Sequence, residues 1–178
     1  DGAAAVEFAV LLPAMLVLLA GTIETAHYLM VQTTLEGAVS RAARENAVAL
    51  TVDEETRDIA MRARIAHVMH YYPMAEGEQV EIETEVFSDF GSARMEPFED
   101  LNGNGIYDPG ELFVDRNGNG VRDRSPKGGR LGDVGDVVAY TVTYPAEPFF
   151  FFLQPMFGGA MRLTSSTVAR NEPERSNL

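Results

Sequence analysis

The chain lacks cysteine altogether and is poor in basic residues. None of its 178 residues is Cys, so no disulfide staples the fold. Lys and Arg total 14 against 27 Asp and Glu, which gives a formal net charge of −13. Because such a surface repels nucleic-acid phosphates, nucleic-acid binding is the least favoured class of function. An acidic surface suits solubility, cation binding or docking on a basic partner.

Catalytic signatures are also missing from the sequence. It contains no Gly-x-Ser-x-Gly elbow, no phosphate-binding loop and no His-Glu-x-x-His helix. An enzymatic role would rest on scattered carboxylates, which cation binding explains better. The sequence therefore predicts a protein that is not an enzyme.

The N-terminal region is a long uncharged run that encloses one acid. No residue from Phe8 to Ile23 is charged, and with residues 3–6 the run reaches about 20 residues, enough for a helix to cross a bilayer. Glu7 lies inside this span, where an unpaired carboxylate is costly. We expect its partner to be a free amino terminus. Cleavage after Gly2 would leave an α-ammonium on Ala3, one helical turn from Glu7, and a neighbouring chain's terminus has the same reach.

These residues resemble the TadE-like minor pilins, or pseudopilins, of the tight-adherence (Tad) pilus, a type IV pilus system. The resemblance is carried by the small residues after Gly2, the pair Glu7 and Phe8, the apolar stretch broken by Pro13, and a second acid at Glu24. It continues in residues 38–44, a small-residue helix, and in residues 165–173, similar to a closing strand.

This resemblance implies a structural subunit and its partners. A prepilin peptidase would cut the chain before Ala3. The protein would be anchored first in the bacterial inner membrane, and its N-terminal helix would then pack against other pilin subunits in an extracellular pilus.

Other interpretations of the N-terminal span stay open. An ordinary single-pass anchor, or the apolar part of a secretion signal, would give Glu7 no role. The run passes into residues 22–49 without a small-residue cleavage site, which favours a continuing helix over a signal peptide. The alternative function is a monomeric, membrane-anchored calcium-binding or adhesive protein that never enters a filament.

The remaining residues predict one small head. We place the pilin-like hydrophobic helix and its extension in residues 1–52 and an α+β globular head in residues 53–178. Helical spacing predicts a second helix over residues 56–72, ended by Pro73. Its apolar face is predicted from Ile59, Ala63, Ala66 and either Met69 or His70.

Alternating apolar and polar residues predict three strands in the head. They cover residues 80–86, 137–144 and 161–169, the first with outward glutamates. The predicted fold class is α+β: a long N-terminal transmembrane helix, a second helix and a small antiparallel sheet with an inserted loop.

A calcium-loop motif lies in that insertion, at about residues 97–130. Residues 100–111 fit the template D-x-[DN]-x-[DN]-G-x5-E at every defined position. The predicted oxygen ligands are the side chains of Asp100, Asn102, Asn104, Asp108 and Glu111 and the carbonyl of Ile106. Calcium prefers such hard oxygen donors, so one Ca²⁺ is predicted here. The alternative is a solvated loop in which Asn-Gly and Asp-Pro steps only make turns.

A second copy of the motif follows, but it is incomplete. Its predicted ligands are Asp115, Asn117, Asn119, the carbonyl of Val121, and Asp123. Its twelfth position is Pro126, so a second Ca²⁺ would need water or a carboxylate from Asp133 or Asp136. The pair resembles the tandem calcium loops of dockerin or thrombospondin-type repeats more than a helical EF-hand, because Pro109 and Gly110 oppose a long exiting helix.

Two further patterns receive structural interpretations. The run Phe149 to Leu153, flanked by prolines, is predicted to close the core, with an exposed contact patch as the alternative. His67 and His70 are interpreted as a surface pair, because no acidic or Cys companion is spaced to complete a metal site.

Overall fold

The computed structural model describes residues 2–88, 90, 96–104, 106–115, 120, 122, 130–150, 152, 154 and 159–172. Its elements are α1 (Gly2–Val48), α2 (Glu54–Met69), β1 (Glu81–Phe87), β2 (Val137–Ala146) and β3 (Met161–Arg170). The predicted α+β class and all five elements are confirmed, with differences only at their ends.

The sheet is antiparallel, with β2 between β1 and β3. Its register pairs Val86 with Val138 and Tyr140 with Thr167. Along β2 the side chains of Val138, Tyr140 and Val142 are all buried, as the period of two requires for a face that packs on helices. The glutamates of β1 are exposed, as their alternation predicted.

The core lies where the second half of α1 meets α2 and the sheet. Val31, Leu35 and Val39 recur at helical spacing and are buried in one cluster with Ile65 of α2 and Tyr140 of β2. The first half of α1 takes no part in this cluster. The apolar residues in the second half of α1 therefore pack in the core of the head, whereas those of residues 2–19 are exposed.

Helix α2 begins and ends two to three residues earlier than predicted, and its buried face differs from the predicted one. Asp53 caps it by accepting the backbone N–H of Thr56 at 2.9 Å, which satisfies one orphan donor of the first turn. Ile59 is 61% exposed, whereas Ile65 and the methionines before and after it are buried. The predicted apolar face was therefore wrong at Ile59, Ala63 and Ala66, which are all exposed, and right at Met69, which is buried.

The cause is polar burial on the inner face of α2. Arg57 and Asp58 are both buried, and each is hydrogen-bonded. Arg57 donates to the carbonyl of Gly132 at 2.8 Å, and Asp58 accepts from Arg62 at 3.0 Å. Because buried polar groups are tolerated when they are paired, the inner face continues beyond its apolar residues onto this charged pair.

Candidate functional site

The first turns of α1 carry the predicted processing and assembly residues. Residues 2–19 are exposed, and burial begins at Ala20. By length and composition α1 qualifies to cross a membrane. Gly2, Ala3 and Glu7 all lie on this exposed apolar part, with Glu7 about one turn after Ala3. An apolar surface of this kind needs a lipid or protein environment.

Glu24 marks the point where α1 becomes part of the head. Its side chain is fully buried. One carboxylate oxygen accepts the N–H of Phe149 at 2.9 Å and the other that of Phe150 at 3.0 Å. The rings of His27 and Phe149 also meet, with centroids 5.8 Å apart. The acid thus ties the loop after β2 to α1. The sequence analysis identified Glu24 as an acid after the apolar span, but it could not predict the backbone groups that Glu24 binds.

The first calcium-loop motif is closed at its base by a short antiparallel bridge. Phe98 pairs with Phe113. The N–H of Glu99 donates to the carbonyl of Leu112 at 2.8 Å, and that of Val114 donates to Pro97 at 3.0 Å. The two ends of the segment therefore lie side by side, and the described residues next to it, 96–99 and 112–115, are not helical, in agreement with the interpretation of Pro109 and Gly110.

Aromatic side chains support this base. The ring of Tyr107 stands edge-on to Phe98 and Phe113, with centroids 5.8 and 5.9 Å away. The Arg122 guanidinium lies over Phe98 at 4.3 Å and over Tyr107 at 4.9 Å. Arg122 also donates to the carbonyl of Glu96 at 3.1 Å. These contacts hold the loop from below, a role that sequence reasoning did not assign to them.

Within the loop, the side-chain oxygens turn inward onto the backbone. Asp100 Oδ1 accepts the N–H of Gly103 at 2.7 Å. Asn102 Oδ1 accepts that of Asn104 at 3.0 Å, and Asn104 Oδ1 accepts that of Ile106 at 2.7 Å. Successive side-chain to backbone bonds of this type are characteristic of turns.

Asp108 and Glu111 complete the set of predicted ligands. Asp108 Oδ2 accepts the side-chain amides of Asn102 at 2.6 Å and Asn104 at 2.9 Å. Glu111 is buried, and its two oxygens accept the N–H groups of Leu101 at 3.0 Å and Asp108 at 2.9 Å. Among the described residues, no three acidic or histidine side chains are grouped as a metal cluster. The predicted ligands are oxygen donors of the kind that Ca²⁺ prefers.

Most of the second motif lies outside the described residues, namely Asn117, Asn119, Val121 and Asp123. Of its predicted ligands only Asp115 is described; its Oδ2 accepts the N–H of Gly120 at 2.8 Å.

The candidate completing ligands lie in the turn before β2. Asp136 is buried and accepts the N–H of Asp133 at 3.0 Å. Asn171 holds the same turn by donating to the carbonyls of Leu131 and Asp133. Asp136 is thus engaged within its own turn, whereas Asp133 is exposed.

The segment from Arg130 to Gly132 is bound to the start of α2. Glu54 Oε1 accepts the N–H of Arg130 at 2.6 Å and that of Gly132 at 3.1 Å. It also accepts the N–H of Leu131, which is the main cause that lowers the pKa of the Glu54 carboxyl. Gly132 has a φ of +62°, and a Cβ there would lie 2.6 Å from Val86 Cγ1. Only glycine fits this approach.

The aromatic run after β2 is largely at the surface. Phe149 is 61% and Phe152 48% exposed, while Phe150 is half-buried. Phe151 and Leu153 lie outside the described residues. The prediction that this run closes the core was wrong for Phe149 and Phe152. The run follows the end of β2, beyond the layer between sheet and helices.

His67 and His70 stack on one another, with ring centroids 5.5 Å apart, on the surface of α2. The described residues supply no metal-binding group around them.

Comparison with known protein families gives a match in the N-terminal helix. Residues 2–44 match the sequence model of the TadE family, described as TadE-like protein. The match covers about a quarter of the chain and almost the whole of α1. No curated protein and no solved structure matches the chain significantly. TadE-like pilins are structural and non-enzymatic.

Proposed function

We propose that this TadE-like chain is a structural minor pilin, or pseudopilin, of a Tad pilus. The observation that supports this most is the division of α1. Its first part, up to residue 19, is exposed and apolar, and its second part carries the head. The family match covers both parts. A helix of this form can serve as a membrane anchor and later as the packing element of a filament.

In this proposal the protein meets its partners through the first part of α1. A prepilin peptidase cuts before Ala3. The subunit is held in the bacterial inner membrane by its apolar span and then packs against other pilin subunits in the extracellular pilus. Glu7, the one acid inside the span, pairs there with the α-ammonium of Ala3 in the same or a neighbouring subunit.

Mass spectrometry of the N-terminus of the protein, purified from membranes and from sheared pili, tests the proposal. We expect a mature chain that begins at Ala3 in both fractions. An uncut N-terminus, cleavage near Gly21, or absence from the pilus fraction would instead favour the membrane-anchored protein that never enters a filament.

We further propose that residues 100–111 bind one Ca²⁺. The predicted ligands already form a turn closed by the Phe98 and Phe113 bridge, and Asp108 lies within hydrogen-bond distance of both asparagine amides. Rotation of these amides would present oxygen in place of nitrogen, and Ca²⁺ accepts carboxylate, amide and carbonyl oxygens in flexible geometry.

A second, weaker Ca²⁺ site is proposed at residues 115–123, completed by water or by Asp133. Limited proteolysis of the full chain in detergent, with calcium, with magnesium or with a chelator, tests both sites. Calcium should protect the insertion from cleavage. Identical cleavage patterns in all three conditions would contradict calcium binding and leave a plain turn region.

A further inference from the structure

The loop after β2 presents aromatic side chains at the membrane end of the head. We call Pro148, Phe149, Phe150 and Phe152 the aromatic tip; Glu147 and Gln154 are the other described residues of this loop. Both oxygens of Glu24 bind its backbone N–H groups. The height of the tip along α1 is therefore fixed at residue 24.

That height coincides with the end of the apolar span. Residues 3–23 form about 30 Å of helix, close to the thickness of the hydrocarbon core. Glu24 is the next residue, so the head begins where hydrocarbon gives way to headgroups. Residues 2–19 are exposed on α1, and Phe149 and Phe152 are exposed as well, with the Phe149 ring beside His27, one turn after Glu24.

We propose that the aromatic tip inserts into the interface of the bilayer that α1 spans. Exposed phenylalanine rings next to a membrane span bury their area at the boundary between headgroups and acyl chains. Insertion gives the head a second point of attachment, so the head is held at a fixed tilt on the membrane instead of pivoting about α1. The inference uses only the membrane anchoring of α1 and does not require a filament.

The chemistry of the tip favours lipid burial over electrostatic attraction. Residues 147–155 contain no Lys or Arg, and the whole chain carries a net charge of −13. Anionic headgroups would repel such a head, so apolar burial drives the contact. Insertion should therefore be as strong in zwitterionic lipid as in lipid with an anionic component, and it should not weaken in salt.

The opposite end of the head offers a matched control position. Val134 is 62% exposed. The neighbouring Gly135 donates to Asn171 at 2.8 Å, and Glu172 donates to Ala47 at 3.0 Å. These contacts place Val134 near the end of α1, about 35 Å along the helix from Glu24.

The test uses tryptophan as a depth probe, because the chain contains none. The full chain is placed in phosphatidylcholine nanodiscs that hold one copy each, with lipids brominated high or low on the acyl chain. Phe152→Trp, and separately Phe149→Trp, should show blue-shifted emission that is quenched most by the high bromine. Val134→Trp should stay red-shifted and unquenched. Leu11→Trp, inside the span, should be quenched by the deeper bromine.

Distinct results separate this inference from the proposed function. If Leu11→Trp is quenched while both tip probes behave like Val134→Trp, α1 spans the membrane and the aromatic tip does not insert. Shielding of the tip probes only in vesicles with many copies would mean that another copy covers the tip, which also overturns the inference. Neither result bears on cleavage before Ala3 or entry into a pilus.

Discussion

The buried carboxylate of Glu24 accepts the backbone N–H of Phe150, 126 positions further along the chain, at 3.0 Å. Its other oxygen accepts the N–H of Phe149 at 2.9 Å. Both donors are backbone groups, so these hydrogen bonds do not depend on the identity of either side chain. The contact joins the TadE-like helix to the part of the chain beyond the family match.

Replacing Glu24 should loosen this junction. Glu24→Ala leaves two partly buried N–H groups without this acceptor, at a cost of at most about 1–3 kcal/mol for each group. Glu24→Gln keeps one acceptor oxygen and should cost less. Denaturant unfolding of the full chain in detergent measures both. Glu36→Gln, an exposed change on the same helix, should be neutral. Equal stability of Glu24→Ala and the parent would show that these hydrogen bonds do not contribute to the free energy of unfolding.

The inner face of α2 gives a second matched pair. Ile65 is 1% exposed, and Ile59 is 61% exposed on the same helix. Ile65→Ala should lower the free energy of unfolding by about 2–5 kcal/mol, because it leaves a cavity in the core. Ile59→Ala should change it by no more than about 0.5 kcal/mol. If Ile59→Ala lowered the free energy of unfolding in urea more than Ile65→Ala, the buried face would be the one predicted from the spacing.

Ile59 and Ile65 also show how much of the fold a local sequence pattern can predict. The three strands could be predicted because their alternation repeats with the period of the sheet, as in the exposed glutamates of β1. The buried face of α2 could not, since Arg57 and Asp58 are buried through hydrogen bonds. The partner of Arg57, the carbonyl of Gly132, lies in another segment, and that of Asp58, Arg62, lies one turn further along α2. The helical spacing of apolar residues predicts which apolar side chains are buried, but it does not predict polar side chains that are buried because they are hydrogen-bonded.

The candidate sites follow the same rule. The calcium-loop motif and the apolar span are contiguous in sequence, so their residues could be named in advance. The partners of Glu24 and Glu54 are backbone N–H groups of distant loops. Because nearly every residue has a backbone N–H, the sequence does not indicate which of them a carboxylate will bind. The exposure of Phe149 likewise depends on where β2 ends relative to the core.

The lowered pKa of Glu54 predicts a specific acid sensitivity. The N–H of Leu131, with those of Arg130 and Gly132, holds the pKa of this carboxyl below its ordinary 4.5. Since the folded state binds the proton less readily, the stabilisation is complete above about pH 4.5 and is lost as pH falls through the lower folded pKa. The stability difference between the parent and Glu54→Gln should therefore shrink with falling pH. A difference that is constant from pH 7 to pH 3 in urea unfolding would contradict this origin.

The proposed role of Glu7 predicts an assembly defect without a folding defect. Glu7→Gln keeps the size of the side chain and removes its charge, so an α-ammonium in the filament would lose its partner, at a cost on the order of 3–5 kcal/mol. We expect reduced pili in the sheared fraction with unchanged membrane insertion and head stability. Glu36→Gln, outside the span, controls for the substitution itself. Parental levels of pili in Glu7→Gln would exclude the role.

Calcium dependence should be local to the insertion. Between Glu99 and Asp123 the sequence has six carboxylates, at residues 99, 100, 108, 111, 115 and 123, against Arg116 and Arg122. Their mutual repulsion opposes compaction, and a divalent cation relieves it. With an affinity of about 10⁻⁴–10⁻³ M, typical of extracellular modules, calcium would protect the loop from proteolysis. Ten times the dissociation constant adds only ~1.4 kcal/mol per site, so the head should survive chelation.

Single substitutions then assign the sites. Asp100→Ala and Glu111→Ala should each abolish calcium protection of the first loop, and Asp115→Ala should affect mainly the second. Because Glu111 also accepts backbone N–H groups, Asp100→Asn and Asp108→Asn are needed as well; they keep an acceptor oxygen while removing charge. Glu99→Ala removes an exposed acid outside the template and controls for net charge. Magnesium should protect poorly, since it demands a smaller octahedral shell. If Glu99→Ala weakens protection as much as Asp100→Asn, diffuse charge screening accounts for the effect and the loop binds no specific ion.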